Sequence, residues 1–365
     1  MLTNSDARIL FFTSPVGLGH ATRDIAIADK LYRLGKGKGK ENIHFVTGQY
    51  AYELIVSRGY FASDLYKPIK FSIHSGELHH PFKWLLRYFW YHRKCKDIAE
   101  KIVKSHNNEP ANNLIVSDED FASIIVAEKT AHKRILITDI TETHFVKGKF
   151  ASIIEKNMNM SMQKMMNNCN YVIIPDFGVD VGNVVHVGPV VRDIGVDRTT
   201  LRKRFGFNKQ TVLVSVGGTD AGKYLIEKTI IAYRKLRKRF DIDLLIVSGP
   251  SINLTAYYNE DIRILGFVDN LHEYIYASDL IISLAGRSTM DESMAYSVPG
   301  IFIPIKNHFE QEENAKRLGY KYDDIFRLER LIEDNLRVSN SIDRTNLQTT
   351  TKGAEKAARV ILETL

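Results

Sequence analysis

The sequence predicts an α/β protein of two domains, each built on a doubly wound parallel sheet. Its 365 residues exceed what one ordinary hydrophobic core holds. Short runs rich in Ile, Val, Leu and Phe alternate along the chain with longer helix-like segments, which is typical of βα units. The runs are almost continuously apolar, as expected for parallel strands that are covered on both faces.

The apolar runs form two series of five, separated by a break. The first series reads RILFFTS, NIHFVTG, NLIVSD, RILITD and YVIIPD; the second reads TVLVSVGG, DLLIVSG, DIRILGF, DLIISLAG and GIFIPI. Gly188 and Pro189 interrupt the pattern between them. We therefore predict an N-terminal domain over 1–187, a C-terminal domain over 188–348, and a helix over 349–365 that packs back on the N-terminal domain. Such folds bind ligands at the carboxyl ends of their strands, here in an expected cleft between the domains.

Composition limits the class of protein. The two cysteines, Cys95 and Cys169, imply no disulfide framework and show no metal-ligand spacing. The first residues lack a basic segment followed by an apolar one, and nowhere do eighteen apolar residues run together. We expect a cytoplasmic protein that binds no nucleic acid.

The net charge of +7 is concentrated in one segment, because residues 80–105 contain seven basic and two acidic residues. Within it, HPFKWLLRYFWYHRKCK, from His80 to Lys96, reads as a helix in which aromatic and basic residues alternate. A basic helix bordered by Trp and Tyr is typical of an interfacial membrane anchor. The alternative is a core helix with one solvated basic face. Five methionines between Met158 and Met166 allow either an adaptable lipid groove or ordinary core packing.

The first strand is followed by SPVGLGHATR, which has three interpretations. Gly17 and Gly19 could simply let the backbone turn. A dinucleotide fingerprint fits poorly, since Ala21 and Thr22 stand where the last glycine is required. In the third interpretation the glycines let a substrate approach the backbone, and His20 acts as a chemical group at the start of a helix.

The second half contains two further strand-to-helix turns with polar residues. Gly217 and Gly218 follow one strand, and their turn could direct backbone N–H groups at a phosphate. In the segment SLAGRSTMDES, Gly286 ends a strand, and hydroxyl residues follow at a helix N-terminus. One turn later, Glu292 could accept hydrogen bonds from two ribose hydroxyls.

This segment resembles the C-terminal nucleotide-sugar motif of the GT-B glycosyltransferases, specifically glycosyltransferase family 28. Gly286, Thr289, Glu292, Pro299, Pro304, Gln311, Asn314 and Ala315 match that motif. Ser297 stands where the family has a glycine, a difference that we interpret as structural. The resemblance extends to GGTDAG, to GFVDNLHEYIYASDLIIS and to GPVVRD, and with the glycine-rich loop it covers nearly the whole chain.

The resemblance implies a GT-B fold and a UDP-sugar donor. The diphosphate would be held by Gly217, Gly218, Thr219, Ser288 and Thr289, with added positive charge from Arg192. Glu292 would bind the ribose, the backbone at Phe267 and Val268 the base, and Gln311 the sugar hydroxyls, beside Asn314 of the same motif.

The resemblance also implies inverting transfer in which a base takes the proton of the acceptor hydroxyl, and we assign that role to His20. Asp118, Asp120 and Asp139 follow two other strands, and one of them could orient His20 or bind acceptor hydroxyls; Asp118 is the one that we select as catalytic. We expect no metal and no cofactor, because helix dipoles and N–H groups can stabilise the leaving group.

The expected reaction is transfer of a hexose or N-acetylhexosamine to a lipid-linked or glycolipid acceptor, at the inner face of the cell membrane. Two alternatives use the same donor site. One is a nucleotide-sugar hydrolase or epimerase; the other is a noncatalytic donor-binding subunit of a membrane transferase.

Overall fold

The structure, a computed structural model, describes residues 8–35, 40–69, 72–79, 81–106, 113–143, 149–217, 220–249, 252, 254, 262–339 and 352–365, without the side chains of 81–86, 149–154 and 220. The chain divides into two compact units. The first contains Met1–Lys70, His80–Val191 and Thr351–Leu365, and the second contains Phe71–His79 and Arg192–Thr350. The main segment of the second unit begins at Arg192, four residues after the break that the sequence shows at Gly188.

The strands, in chain order, are Ile9–Thr13 (β1), Ile43–Thr47 (β2), Phe61–Asp64 (β3), Ile73–His74 (β4), Glu77–Leu78 (β5), Leu114–Asp118 (β6), Lys133–Ile137 (β7), Tyr171–Ile174 (β8), Val184–His186 (β9), Gln210–Ser215 (β10), Ile242–Val247 (β11), Ile262–Leu265 (β12), Leu280–Leu284 (β13) and Gly300–Ile303 (β14). The α-helices are Gly19–Leu34 (α1), Tyr50–Ser57 (α2), Pro81–Ser105 (α3), Phe121–Lys129 (α4), Lys149–Asn167 (α5), Arg198–Phe205 (α6), Lys223–Leu236 (α7), Leu271–Ala277 (α8), Arg287–Ala295 (α9), Phe309–Arg317 (α10), Leu328–Ser339 (α11) and Gly353–Thr364 (α12). All ten apolar runs of the sequence form strands, and both expected parallel sheets are present.

The sheet of the first unit has the strand order β3-β2-β1-β6-β7-β8-β9, with every neighbouring pair parallel. The chain builds outward from β1 in one direction and then restarts on its other side at β6. The carboxyl ends of β1 and β6 are therefore adjacent, and Thr13 pairs with Asp118. This reversal of strand order is where doubly wound sheets leave room for a ligand.

Helices cover both faces of this sheet. Along β1, Ile9 and Phe11 pack in a core with α1, α2 and α12, while Leu10 and Phe12 pack in a second core with α3 and α4. Because successive side chains of a strand point to opposite faces, a strand between two helical layers must be apolar at every position. On α5, Met162 and Met166 are buried core residues.

The second unit has its own sheet in the order β12-β11-β10-β13-β14, again with parallel neighbours. Here the strand order reverses between β10 and β13. The strands β10 and β13 end at Ser215 and Leu284, directly before the two glycine-rich turns of the second half of the sequence. An apolar cluster packs α7 and α11 against the sheet.

The sequence pattern did not predict β3, β9 or the antiparallel hairpin of β4 and β5. The hairpin comes from the first half of the chain but belongs to the second unit. The Leu78 N–H donates to the Lys306 carbonyl at 2.9 Å, and the Tyr322 hydroxyl donates to the Ser75 carbonyl at 2.8 Å. Two-residue strands without an apolar run leave no periodic signal.

Candidate active site

The turn between β1 and α1 presents His20 at the carboxyl edge of the first sheet. Gly17 has a φ of 77°, in the left-handed region that favours glycine, so it serves the turn. Gly19 is the first residue of α1, and His20 lies in the first turn of that helix. The structural and the chemical interpretations of this loop are therefore compatible.

His20 contacts Asp118, the last residue of β6. The imidazole Nδ1 donates to Asp118 Oδ1 at 3.0 Å. The Asp118 side chain is fully buried, whereas the His20 side chain is 19% exposed. With Nδ1 committed to Asp118, Nε2 is the ring nitrogen available for chemistry.

Arg23 joins this pair, and the sequence analysis did not select it. Its Nε donates to Asp118 Oδ2 at 2.8 Å, and one terminal nitrogen donates to Asp118 Oδ1 at 2.5 Å. The other terminal nitrogen donates to Asp139 Oδ1 at 3.0 Å. Residues three apart share a helix face, so the spacing of His20 and Arg23 on α1 was the available signal.

Glu119 is the second residue that the sequence analysis missed. Its φ of 53° is unusual for a residue with a side chain, and it directs the carboxylate toward His20, whose Nε2 lies 3.7 Å from Glu119 Oε2. The other Glu119 oxygen accepts from the Thr138 hydroxyl and from the Asp139 N–H, both at 3.3 Å.

The same backbone conformation separates Asp118 from Asp120. The Asp120 Oδ2 accepts from the buried Tyr66 hydroxyl at 2.6 Å. The backbone carbonyl of Asp120 accepts from the hydroxyls of Ser117, in β6, and Ser123, at the start of α4. The two aspartates of the sequence DED therefore have different partners. Asp118 and Asp139 belong to the His20 cluster, whereas Asp120 stabilises the next helix.

The charges around His20 control its protonation. Burial disfavours the imidazolium, but the Asp118 and Glu119 carboxylates outweigh burial and raise the pKa of His20 to about 9. Burial also opposes ionisation of Asp118, yet Arg23 and His20 hold the pKa of that carboxyl well below its usual range. Burial and the neighbouring Asp118 charge raise the pKa of Asp24 far above its usual range, so Asp24 is the neutral member of the cluster.

The second unit presents a different set of groups at the ends of β10 and β13. Gly217 is exposed with a φ of 78°, while Gly218 and Thr219 lie outside the described residues. Gly286 precedes α9, and Ser288 and Thr289 are half-buried in its first turn. The first turn of a helix has N–H groups without intrahelical partners, which favour a bound anion.

Arg192 and Glu292, which the sequence assigned to different parts of the donor, form a buried pair. Arg192 Nε donates to Glu292 Oε1 at 2.9 Å, a terminal nitrogen donates to Oε2 at 3.3 Å, and another donates to the Asp269 carbonyl at 3.0 Å. The Tyr296 hydroxyl donates to the Arg192 carbonyl at 2.8 Å. Arg192 therefore holds the Glu292 carboxylate in one orientation at the edge of α9.

The remaining donor candidates lie after β12 and β14. Phe267 is exposed and Val268 half-buried on the loop between β12 and α8. Gln311 Oε1 accepts from the Ile305 N–H at 3.1 Å. Asn314 is buried, and its amide donates to the Ala285 carbonyl at 3.3 Å, which ties α10 to the end of β13.

The backbone conformation of Ser297 explains why the family motif has a glycine at this position. Its φ of 53° is left-handed, a conformation that glycine adopts without cost. The family's glycine thus serves the turn between α9 and β14, as the sequence analysis supposed.

A parallel sheet in each unit, with polar residues at each reversal of strand order, is the architecture of the GT-B fold. The described chain is similar over 98% of its length, and 98% of the other's, to the crystal structure of TcCGT1 in complex with UDP, with a TM-score of 0.63 at 12% identity. That likeness concerns the fold.

Residues 211–364 match the glycosyltransferase family 28 C-terminal domain. An uncharacterized glycosyltransferase of Methanosarcina acetivorans is 25% identical over 84% of this chain and 82% of its own. Another, of Methanopyrus kandleri, is 26% identical over 60% of this chain and 63% of its own. The UDP-N-acetylglucosamine--N-acetylmuramyl-(pentapeptide) pyrophosphoryl-undecaprenol N-acetylglucosamine transferase of Carboxydothermus hydrogenoformans is 32% identical over 35% of this chain and 38% of its own. The chain is therefore similar to glycosyltransferases over most of its length, and its residues 211–364 match the C-terminal domain of family 28.

The Arg192–Glu292 pair generates a stability prediction. Glu292→Ala leaves a buried guanidinium without its carboxylate, so the free energy of unfolding should fall by about 3–5 kcal/mol in urea denaturation. The double variant Arg192→Leu with Glu292→Met removes both charges and should recover part of that loss. A double variant less stable than the single one would mean that the pair is not the source of the effect.

Proposed function

We propose that the protein transfers a hexose or N-acetylhexosamine from a UDP-sugar to the hydroxyl of a lipid-linked or glycolipid acceptor, by inverting displacement. The observation that carries this proposal is the hydrogen bond between His20 and the fully buried Asp118 at the strand-order reversal of the first sheet. It supplies an oriented imidazole where the fold binds substrates.

The second unit is proposed to bind the donor. A diphosphate matches the N–H groups at the start of α9, after Gly286, and a ribose matches the Glu292 carboxylate that Arg192 orients. Two comparisons support uridine as the base, since the Carboxydothermus relative is named for UDP-N-acetylglucosamine and the TcCGT1 structure contains UDP.

The first unit is proposed to supply the general base, His20, which takes the proton of the acceptor hydroxyl. Neutral His20 keeps its Nδ1 proton on Asp118 and accepts the acceptor's hydroxyl proton at Nε2, while the oxygen attacks the anomeric carbon and the nucleotide diphosphate leaves. The adjacent Asp118 carboxylate stabilises the imidazolium that forms. Because free His20 has a pKa of about 9, only a small fraction is neutral at pH 7.

The acceptor is proposed to approach along α3. On this helix Phe89 is 67% and Trp90 63% exposed, and Arg87, Arg93 and Lys94 are also exposed. His80 and the side chains of 81–86, including Lys83 and Trp84, lie outside the described residues. Exposed rings among cations suit the headgroup region of an anionic membrane.

Tyr88 connects α3 to the catalytic cluster. Burial, followed by the charges of Asp120 and Glu119, raises the pKa of Tyr88 above its usual range, so this residue is within electrostatic reach of the carboxylate beside His20. Among the described helices none is long and apolar enough to cross a membrane, and the proposed location is the inner membrane surface.

We predict that the protein binds UDP more tightly than AMP or NAD, because the site offers one anion pocket and one ribose carboxylate. Isothermal titration calorimetry with the three nucleotides measures this directly. Equal or tighter binding of NAD would remove the UDP-sugar from the proposal.

We predict that His20→Ala lowers turnover by about two to four orders of magnitude and leaves UDP affinity unchanged, as expected for loss of a general base. In the wild type, kcat/KM should rise with pH until about 9, where His20 becomes neutral. Product analysis with and without acceptor separates transfer from hydrolysis of the UDP-sugar. A pH-independent rate between 6.5 and 9 would contradict the role given to His20.

We predict that the protein binds anionic vesicles more tightly than neutral ones, and less tightly as salt increases. Replacing Arg87 and Lys94 with Gln should weaken co-sedimentation by about 2 kcal/mol at low salt, since each nearby cation contributes about 1 kcal/mol. Phe89→Ser should weaken it further without changing UDP affinity. The matched control replaces Arg204 and Lys209, two exposed cations of the second unit, with Gln. Equal sedimentation of control and α3 variants would contradict docking through α3.

A further inference from the structure

We infer that Arg23 is a positioning residue that fixes the orientation of His20, through Asp118, and sets the pH at which His20 becomes a base. The role of His20 in transfer rests on the proposed function. The coupling between Arg23 and His20 does not, because it follows from the contacts of these residues in the free protein.

The geometry places Arg23 at the centre of the cluster. Its guanidinium binds both oxygens of Asp118 and one oxygen of Asp139. One terminal nitrogen also lies 3.2 Å from His20 Nδ1, and the same Asp118 Oδ1 accepts from both. A bidentate guanidinium fixes a carboxylate in plane and in rotation. The position of the oxygen that orients His20 is therefore determined by Arg23.

The electrostatics follow from the same contacts. His20 faces Asp118 at the end of β6, Glu119 directly after it, and Arg23 on its own helix, while Asp139 after β7 contacts Arg23. The carboxylates favour the imidazolium, whereas the guanidinium opposes it. Burial is the largest effect that opposes the imidazolium, and Arg23 is the nearby positive charge that adds to it and offsets part of the effect of the carboxylates.

Asp24 adds a constraint to this arrangement. Its Oδ2 accepts from the Thr13 hydroxyl at 2.6 Å, and its other oxygen is buried without a hydrogen-bond partner. Asp24 stays neutral beside Asp118 because a second buried carboxylate is not compensated by one guanidinium. Asp118 therefore carries the negative charge of this pair of aspartates, and Arg23 is the cation that compensates it.

The test measures the protonation of His20 without reference to activity. In protein labelled with ¹³C-histidine, the titration midpoint of His20 is followed by NMR, and its signal is assigned from its absence in His20→Ala. Arg23→Gln should raise the midpoint by about one pH unit or more, because it removes the opposing charge and leaves Asp118 unneutralised.

Asp139→Asn should move the midpoint in the opposite direction. It removes a negative charge that contacts Arg23 and leaves the guanidinium less neutralised, so the imidazolium becomes less favourable. Structural damage alone does not produce shifts of opposite sign. If Arg23→Gln does not fold, the Asp139→Asn shift and the Arg23→Lys variant carry the test.

Arg23→Lys separates charge from orientation. Lysine keeps the positive charge but lacks the planar fork that binds two carboxylates. Its His20 midpoint should stay near the wild-type value, while kcat falls at least tenfold and KM for the UDP-sugar is unchanged. The matched control is Arg202→Gln, which breaks an arginine–aspartate pair with Asp279 in the second unit and should leave the His20 midpoint unchanged.

A His20 midpoint that is unchanged in both Arg23→Gln and Asp139→Asn, or that shifts in the same direction in both, overturns the inference. A midpoint that is unchanged in Asp139→Asn, where Arg23→Gln cannot be measured, also overturns it. Opposite shifts in a protein without transferase activity would support the coupling and reject the proposed function.

Discussion

The ion pair between Arg23 and Asp118 is the interaction on which the first unit's site depends. Asp118 is the last residue of a central strand and is fully buried, so its charge is costly unless a partner compensates it. Arg23 does so with two hydrogen bonds, and it can reach Asp118 because α1 follows the neighbouring strand. The ionised Asp118 then orients His20 and keeps Asp24 neutral. Removing this pair would change the protonation of the whole cluster.

Both units orient a buried carboxylate with a buried arginine. Each places a carboxylate near the point where the strand order reverses, and each holds that carboxylate with a buried arginine that binds both of its oxygens. In the first unit the held carboxylate is Asp118, and in the second it is Glu292. Fixing a carboxylate before a ligand arrives reduces the entropy lost on binding and the reorganisation needed during reaction.

The strained backbone at Glu119 lies next to this arrangement. Its φ of 53° separates the side chains of Asp118 and Asp120, so that Asp118 bonds His20 while Asp120 accepts a hydrogen bond from the Tyr66 hydroxyl. A regular continuation of the strand would alternate the three side chains between faces and would not direct Glu119 toward His20. Such unfavourable conformations persist where surrounding hydrogen bonds fix them, and Glu119 accepts two.

The sequence by itself determined the fold class, all ten strands of its apolar series and the resemblance to family 28, because buried parallel strands need continuous apolar runs and the nucleotide-sugar motif has a specific spacing. It also determined His20 and Asp118 as candidates, since both follow strands. Only the tertiary structure decided how these residues pair. Arg23 contacts Asp118, which lies 95 residues later in the chain, and Asp139, which lies 116 residues later. Arg192 contacts Glu292, which lies 100 residues later. No local pattern records such contacts, because they arise from strand order in a parallel sheet. The direction of Glu119 depends on one backbone angle, and the hairpin of β4 and β5 on hydrogen bonds to residues far along the chain, so both became visible only in three dimensions.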